Sequence, residues 1–500
     1  MDRPLSVGIR HPLILKVNDL ALLTDQDGDI PRDAAGLGLF FRDTCYLAGY
    51  RFRLHARAPL LLMASDELGV AARLSLTNPA VETANGGRID THKVDIDRTL
   101  RLGEDGLLFT DTIELANACD ERICLPLSLE FSTVFESMFA VRGAKDLSRG
   151  ELRAPAWDGR HLLFAYDGAD DVRRTLTVDF SHAPSVGPRT SEQAIAYFQF
   201  DLAHGARERL SVSMRIGEER AGDRSHGASD DAGKPGRKSP SAEGGEDWPE
   251  GFARLDCSDR EVSRLVRRSL ADLALLAVRR GEERFTAAGL PWFLALFGRD
   301  SLIPSIQVLA FNPDLCVQAV RALAGRQGSR DDPRTGEAPG KILHEWRVGE
   351  AANLAEVQQT PSYVGVDATP LFLIALARHA AWSGRLDLFN ELRGHVDRAL
   401  GWMRREAATT PGGYLAYDGK TPKGGPINQA WRDSDDGVLR ADGAYPEPPL
   451  ALVEVQGYAF EARRRIAGLL RHAGEPGEAD RLDAEASDLA ARFERDFWMP

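Results

Sequence analysis

The sequence predicts two unlike halves: an antiparallel β-sandwich up to residue 216 and an all-α domain from Trp248 onward. Three observations predict it. The apolar period is two in the first half, it lengthens to three or four in the second, and a stretch whose only apolar side chains are alanines lies between them. A chain of 500 residues is also too long for one hydrophobic core, so two domains are expected.

In the first half, Val94, Ile96, Leu100 and Leu102 alternate with polar neighbours. Leu125, Leu127, Leu129 and Phe131 do the same, as do Leu210, Val212, Met214 and Ile216. Half-buried antiparallel strands produce this pattern because successive side chains point to opposite faces. Residues 217–247, rich in Gly, Asp, Glu and Ser, cannot recover their ordering entropy by burial and read as a flexible linker. The boundaries are therefore 1–216, 217–247 and 248–500. Beyond Trp248, Leu388, Phe389, Leu392, Val396, Leu400 and Met403 fall on one helical face within 386–403. Further helices fit 259–279, 301–311, 313–326, 367–383, 451–473 and 477–496, with breaks at Gly384 and around Gly474 and Pro476.

Bulk properties narrow the function classes. A net charge of −13 argues against nucleic acid or an anionic membrane as partner, since both reward clustered positive charge. It is compatible with a neutral ligand such as a sugar. The five cysteines are scattered, show no metal-ligand spacing and suit a reducing compartment. No stretch approaches the roughly 20 apolar residues of a membrane span, which makes a cytoplasmic protein the expectation. No nucleotide loop, metal cluster or redox motif is visible, and no cofactor is expected.

Three loops of the helical half are unlike ordinary connections. The first, Gly289 to Ser301, runs from Trp292 through aromatics into Arg299 and Asp300 at a helix start. Asp300 suits the positive end of the helix dipole, or a sugar subsite in which Asp and Arg grip hydroxyls. The second, 327–366, carries His344, Glu345, Trp346 and Arg347 and leads into Asp367; loops this long are functional or disordered. The third, Pro426 to Gly437, sets Trp431 and Arg432 beside Asp433, Asp435 and Asp436. Clustered carboxylates resist simultaneous ionisation, which gives one of them a route to a raised pKa and a proton-donor role in glycoside hydrolysis. An Asx-rich turn and a calcium loop are the alternatives, although the terminal Glu of a twelve-residue calcium loop is absent.

Taken together, these blocks resemble bacterial glycogen-debranching-type glycosidases, of the amylo-α-1,6-glucosidase kind. The matching pieces are Pro291-Trp292-Phe293 with Phe297 to Ile303, Lys341 to Glu345 with Arg347, and Asp367 to Pro370. They continue with Asn428 to Ser434 and Glu454 to Tyr458, and in the first half with Gly38 to Thr44 and Val141-Arg142-Gly143. The resemblance implies an (α/α)6 toroid behind the β-sandwich, with the active site at the funnel mouth. It implies an exo-acting, inverting glycosidase of α-linked gluco-oligosaccharides, with α-1,6 branch points among its possible targets. Asp433 matches the family's general acid. Arg299 and Asp300 would hold sugar hydroxyls, and Trp292, His344, Glu345, Asp367, Trp431, Glu454 and Gln456 would line subsites. The partner would be an oligosaccharide or polysaccharide. An inverting mechanism needs two carboxylates roughly 6.5–9.5 Å apart, and the resemblance places the base beyond Pro500. The helices read from the sequence are fewer than a closed six-hairpin ring needs, so the expected toroid is incomplete at its C-terminus. A glycosidase for another small glycoside is a second reading within the same fold, a carbohydrate-binding protein without catalysis is the competing class, and a polysaccharide lyase is remote. Within the first half no catalytic constellation stands out; Arg42-Asp43-Thr44 reads as an ion pair at a strand end rather than a sugar contact.

Overall fold

The computed structural model describes residues 12–499, apart from 33, 35, 68, 83–86, 146, 221–250, 358–360, 419–426, 430, 433 and 435. From residue 221 the expected linker lies outside the described residues. Its first four residues complete a strand, Arg207–Arg220.

The first half is two antiparallel sheets packed face to face. One has seven strands in the order Leu13–Val17, Leu20–Thr24, Gly38–Phe41, Thr44–Leu54, Ile123–Ser137, Gln193–Leu202 and Ser185–Thr190. The other is built around the neighbours His161–Asp167, Val172–Phe180, Arg207–Arg220, Leu108–Asn117, Val94–Leu102, Ala71–Thr77 and Leu60–Glu67. Rings from the two inner faces meet, as in Tyr50 against Phe109, Phe131 against Phe164 and Phe180 against Phe198. The expected alternation is present: Val94, Ile96, Leu100 and Leu102 are buried on the inward face. The polar residue in that row, Arg98, is buried as well, held by Asp29 and Asp111 at 2.9 and 3.0 Å.

In the second half the long helices are Arg260–Leu275, Gly298–Gln307, Asp314–Ala324, Ala368–Ser383, Arg393–Thr409, Val453–His472 and Pro476–Phe497. The stretch expected as one helix over 386–403 is two, Asp387–Glu391 and Arg393–Thr409, broken at Leu392. The helix expected from 301 starts at Gly298, which brings Arg299 and Asp300 inside its first turn. The Ala368 helix is central: Leu371 to Ala377 are all buried, and it packs on the Gly298, Asp314, Arg393 and Val453 helices. It ends on Gly384 in the left-handed region at φ 69°, where glycine carries no Cβ penalty. Among the described residues no helix is long and apolar enough to cross a membrane.

The halves share an extensive polar interface. Lys16 Nζ donates to Ala277 O at 2.7 Å, and Asp19 pairs with Arg280 at 2.9 Å. Tyr166 Oη donates to Glu350 Oε2 at 2.7 Å. Asp43 pairs with Arg347 at 2.9 Å across the halves and Arg42 with Glu218 at 3.2 Å, so both charges of the Arg42-Asp43-Thr44 stretch are ion-paired, but to other residues and not to each other.

Candidate active site

Three helix N-termini converge at one end of the helical half, and each brings a carboxylate. Asp300 lies in the first turn of the Gly298 helix, Asp367 is the N-cap residue of the Ala368 helix, and Glu454 lies in the first turn of the Val453 helix. Unpaired N–H groups and the helix dipole favour negative charge at these positions. Among the described residues no side chain makes a capping hydrogen bond to the Ala368 helix, so the Asp367 carboxylate turns to other partners. One of its oxygens accepts from Arg299 Nη1 at 2.8 Å, and Arg299 Nε lies 3.9 Å from Asp300. Its other oxygen, Oδ1, is buried and has no hydrogen-bond partner among the described residues.

His344 stands beside that oxygen. A Cβ built on Gly365 would lie 3.0 Å from His344 Nδ1 and 3.4 Å from Asp367 Oδ1, so the two polar atoms flank one glycine. The imidazole is held edge-on to Phe297, with ring centroids 6.0 Å apart. Its backbone is pinned twice: His344 N donates to Ser362 O at 2.8 Å, and His344 O accepts from Gly298 N at 2.9 Å. The short strands Leu296–Phe297 and Glu345–Trp346 pair antiparallel at this point. Gly298 makes the close docking possible, because a Cβ there would fall 2.2 Å from Leu343 O and 2.9 Å from the Ala368 Cβ.

Asp433, expected as the acid, lies outside the described residues, as does Asp435. Described residues on either side of Asp433 in the sequence are bonded to the Asp367 segment or to one another. Val366 N, one residue before Asp367, donates to Gln429 O at 3.1 Å. Tyr417 Oη donates to Asn428 Oδ1 at 3.2 Å, and Asn428 Nδ2 donates to Ser434 O at 2.6 Å. Trp431, two residues before the expected acid in the sequence, is 57% exposed, with the Arg432 guanidinium 5.6 Å from its ring centroid.

The structure brings Arg299, Asp300, His344 and Asp367 together, and Glu454 comes to the same end of the domain. It places the other expected subsite residues differently. Trp292 packs its ring against Phe40 of the sandwich, with centroids 6.4 Å apart, in the interface between the halves. Glu345 is buried and bonded to Arg347. Gln456 is buried and spends its amide on backbone: Oε1 accepts from Leu415 N at 3.0 Å, and Nε2 donates to Leu415 O at 2.7 Å. A cavity of about 250 Å³ lies between the Arg393, Val453 and Pro476 helices, lined by Gln456 but not by Asp300, Asp367 or Glu454.

Tyr458 and Tyr417 belong to the site but were given no role from sequence. Burial is the main cause that raises the Tyr458 phenol, followed by the nearby Asp367 and Glu454 carboxylates, with Arg299 opposing. Burial and then Glu454 raise Tyr417. Both therefore stay protonated donors at neutral pH. The sequence signal for Tyr458 was its place in the Glu454 to Tyr458 block, one helical turn after Glu454 on the same face. Among the described residues no group of His, Cys, Asp or Glu is arranged to hold a metal ion.

Residues 15–213 match the family model of the N-terminal domain of (some) glycogen debranching enzymes. No curated protein sequence matches the chain. Two solved structures share its fold across both halves. A putative kojibiose phosphorylase from human microbiome superposes with a TM-score of 0.53 at 9% identity, covering 96% of this chain and 67% of that one. A bacterial glucoamylase complexed with acarbose superposes with a TM-score of 0.53 at 10% identity, covering 99% of this chain and 69% of that one. Residues 15–213 thus match the N-terminal domain of (some) glycogen debranching enzymes, and the two halves together share the fold of these two structures.

Proposed function

We propose that this protein is a glycosidase that cleaves α-linked gluco-oligosaccharides from their ends with inversion, with Asp433 as general acid. The observation that carries the reading is the buried Asp367 Oδ1 beside His344, without a hydrogen-bond partner among the described residues, in a cluster with Arg299 and Asp300. An unmet buried acceptor costs about 1–3 kcal/mol, and a sugar hydroxyl is a donor of the right kind to meet it. Exposed Trp431 offers an apolar face for a pyranose ring, and Tyr458 supplies a second hydroxyl donor.

In this reading Arg299, Asp300, His344 and Asp367 grip the terminal sugar, and Glu454 lines the same pocket. Trp292, Glu345 and Gln456 shape it from behind. The helices are hairpins of an (α/α)6 toroid, and α-1,6 branch points are among the linkages the enzyme accepts. The glucoamylase and the putative kojibiose phosphorylase, which share the fold, are both named for carbohydrate chemistry, and the second adds phosphorolysis as an alternative outcome.

The test is sugar release from α-1,4-, α-1,6- and α,α-1,1-linked glucosides and from limit dextrin, each with and without phosphate. Loss of a general acid costs about 10²–10⁴ in rate, so Asp433→Asn should lower release by that factor. Release that requires phosphate would make the protein a phosphorylase. Release that survives Asp433→Asn would move the acid to another carboxylate, and tight binding without release would make it a binding protein.

A further inference from the structure

The cluster that the proposed function leaves unexplained lies where the sandwich meets the strand pair of the site. Arg347 is 2% exposed and stands between two carboxylates from opposite halves of the chain. It bonds to Glu345 on one side and to Asp43 Oδ1 at 2.9 Å on the other. Asp43 Oδ2 also accepts from Val348 N at 3.3 Å. Glu345 and Asp43 are themselves 6% and 7% exposed, so water screens this three-charge chain very little. The guanidinium is packed among the rings of Phe139, Phe297 and Phe293, 5.1 to 5.9 Å from their centroids.

The backbone at Asp43 is unusual too. Arg42 and Asp43 both take positive φ, 46° and 58°, in the turn joining Gly38–Phe41 to Thr44–Leu54. A two-residue hairpin turn of this kind favours Asn-Gly. Here both positions carry side chains, and both side chains are used: Arg42 pairs with Glu218 and Asp43 with Arg347. The partner loop comes so close that a Cβ on Gly349 would lie 2.8 Å from Arg42 O. The turn is thus pressed against the segment that follows Arg347.

We propose that Asp43 is a positioning residue for the sugar site of the helical half. It holds Arg347, Arg347 holds Glu345, and Glu345 lies on the strand paired with Phe297, directly before Gly298 and Arg299. The same strand begins one residue after His344. The sandwich thereby sets the placement of two groups in the proposed sugar grip without touching sugar itself. The sugar part of this inference rests on the proposed function; the mechanical part does not.

The test compares the full chain with Asp43→Asn and Asp43→Glu in two readouts. The first is hydrogen exchange of backbone amides over 296–300 and 343–348, with 94–102 and 108–117 as internal reference. Asp43→Asn should speed exchange at the site segments by about tenfold or more, since one end of a buried charge pair is lost, and leave the reference unchanged. The second is affinity for acarbose, measured on folded protein at low temperature, which should weaken by about tenfold in step with exchange. Asp43→Glu, which restores the charge, should recover part of both. Unchanged exchange at 296–300 and 343–348 overturns the proposal whatever the sugar result. Faster exchange with unchanged acarbose affinity overturns it as well, because the coupling would stop short of the site. Wild-type protein that binds no acarbose would sink the sugar reading, while faster exchange would still establish the mechanical link. If Asp43→Asn does not fold, Arg347→Lys probes the same chain from its centre, keeping the charge but losing the two-sided fork.

Discussion

Arg299 and Asp367 form a buried ion pair, with side chains 10% and 1% exposed. Such a pair contributes little net stability over an apolar one, but breaking it strands a charge and costs about 3–5 kcal/mol. Asp367→Ala should therefore lower the urea midpoint strongly, whereas Arg299→Met with Asp367→Leu should recover much of that loss. If the pair is the sugar grip, the double variant folds and still fails to bind acarbose. A double variant that binds as wild type would reduce the pair to a structural feature. Arg98 makes the same point away from the site. Alternation marks its position as inward but says nothing of Asp29 and Asp111, which come from 69 and 13 residues away to neutralise it.

Among the elements, the Gly298 helix depends most visibly on one residue. Its first turn fits under the second loop because Gly298 has no side chain; Gly298→Ala would drive a Cβ to 2.2 Å from Leu343 O. Overpacking of this sort costs about 1–3 kcal/mol. The variant should fold with a lowered thermal midpoint and lose sugar binding by more than its stability loss implies, since Arg299 and His344 both move. Equal losses would mean that the contact serves only packing. The sequence already marked this helix start through its acidic residue and the Arg299-Asp300 pair. It placed the start three residues late because the aromatic run before it has no helical or strand period to mark the boundary. Leu392, by contrast, satisfies the helical period on both sides, so the break there left no trace in the pattern.

Across the whole molecule, the interface between the halves buries groups that would rather be charged in water. Burial pushes the Lys16 ammonium down to about 7, with Asp19 opposing and Arg280 adding to the effect. Its unfolded value is near 10.5, so between about 7 and 10 the unfolded chain holds this proton more tightly than the folded one. The Lys16 contribution to stability therefore rises as pH climbs through that window. Lys16→Met, which keeps the aliphatic stem, should remove that slope: its stability gain over wild type should be largest at pH 7 and shrink toward pH 9. A difference that stays constant from pH 7 to 9 would show that Lys16 keeps its ordinary pKa.

Whatever repeats locally is legible in the order of residues: strand alternation, helical faces, the change of period near Trp248, and the loops rich in Trp, Arg and Asp. Each depends on neighbours within a few residues, and physical periodicity writes it directly into the order of side chains. The tertiary structure alone decided which of those loop residues face the same space. Trp292 went to the sandwich, Gln456 to the Leu415 backbone and Glu345 to Arg347, while Tyr458 and Asp43 entered the site's surroundings from 91 and 324 residues away from Asp367. No local pattern records such meetings, because a buried polar side chain is satisfied by whatever the fold brings to it, and that partner is set by packing rather than by position along the chain.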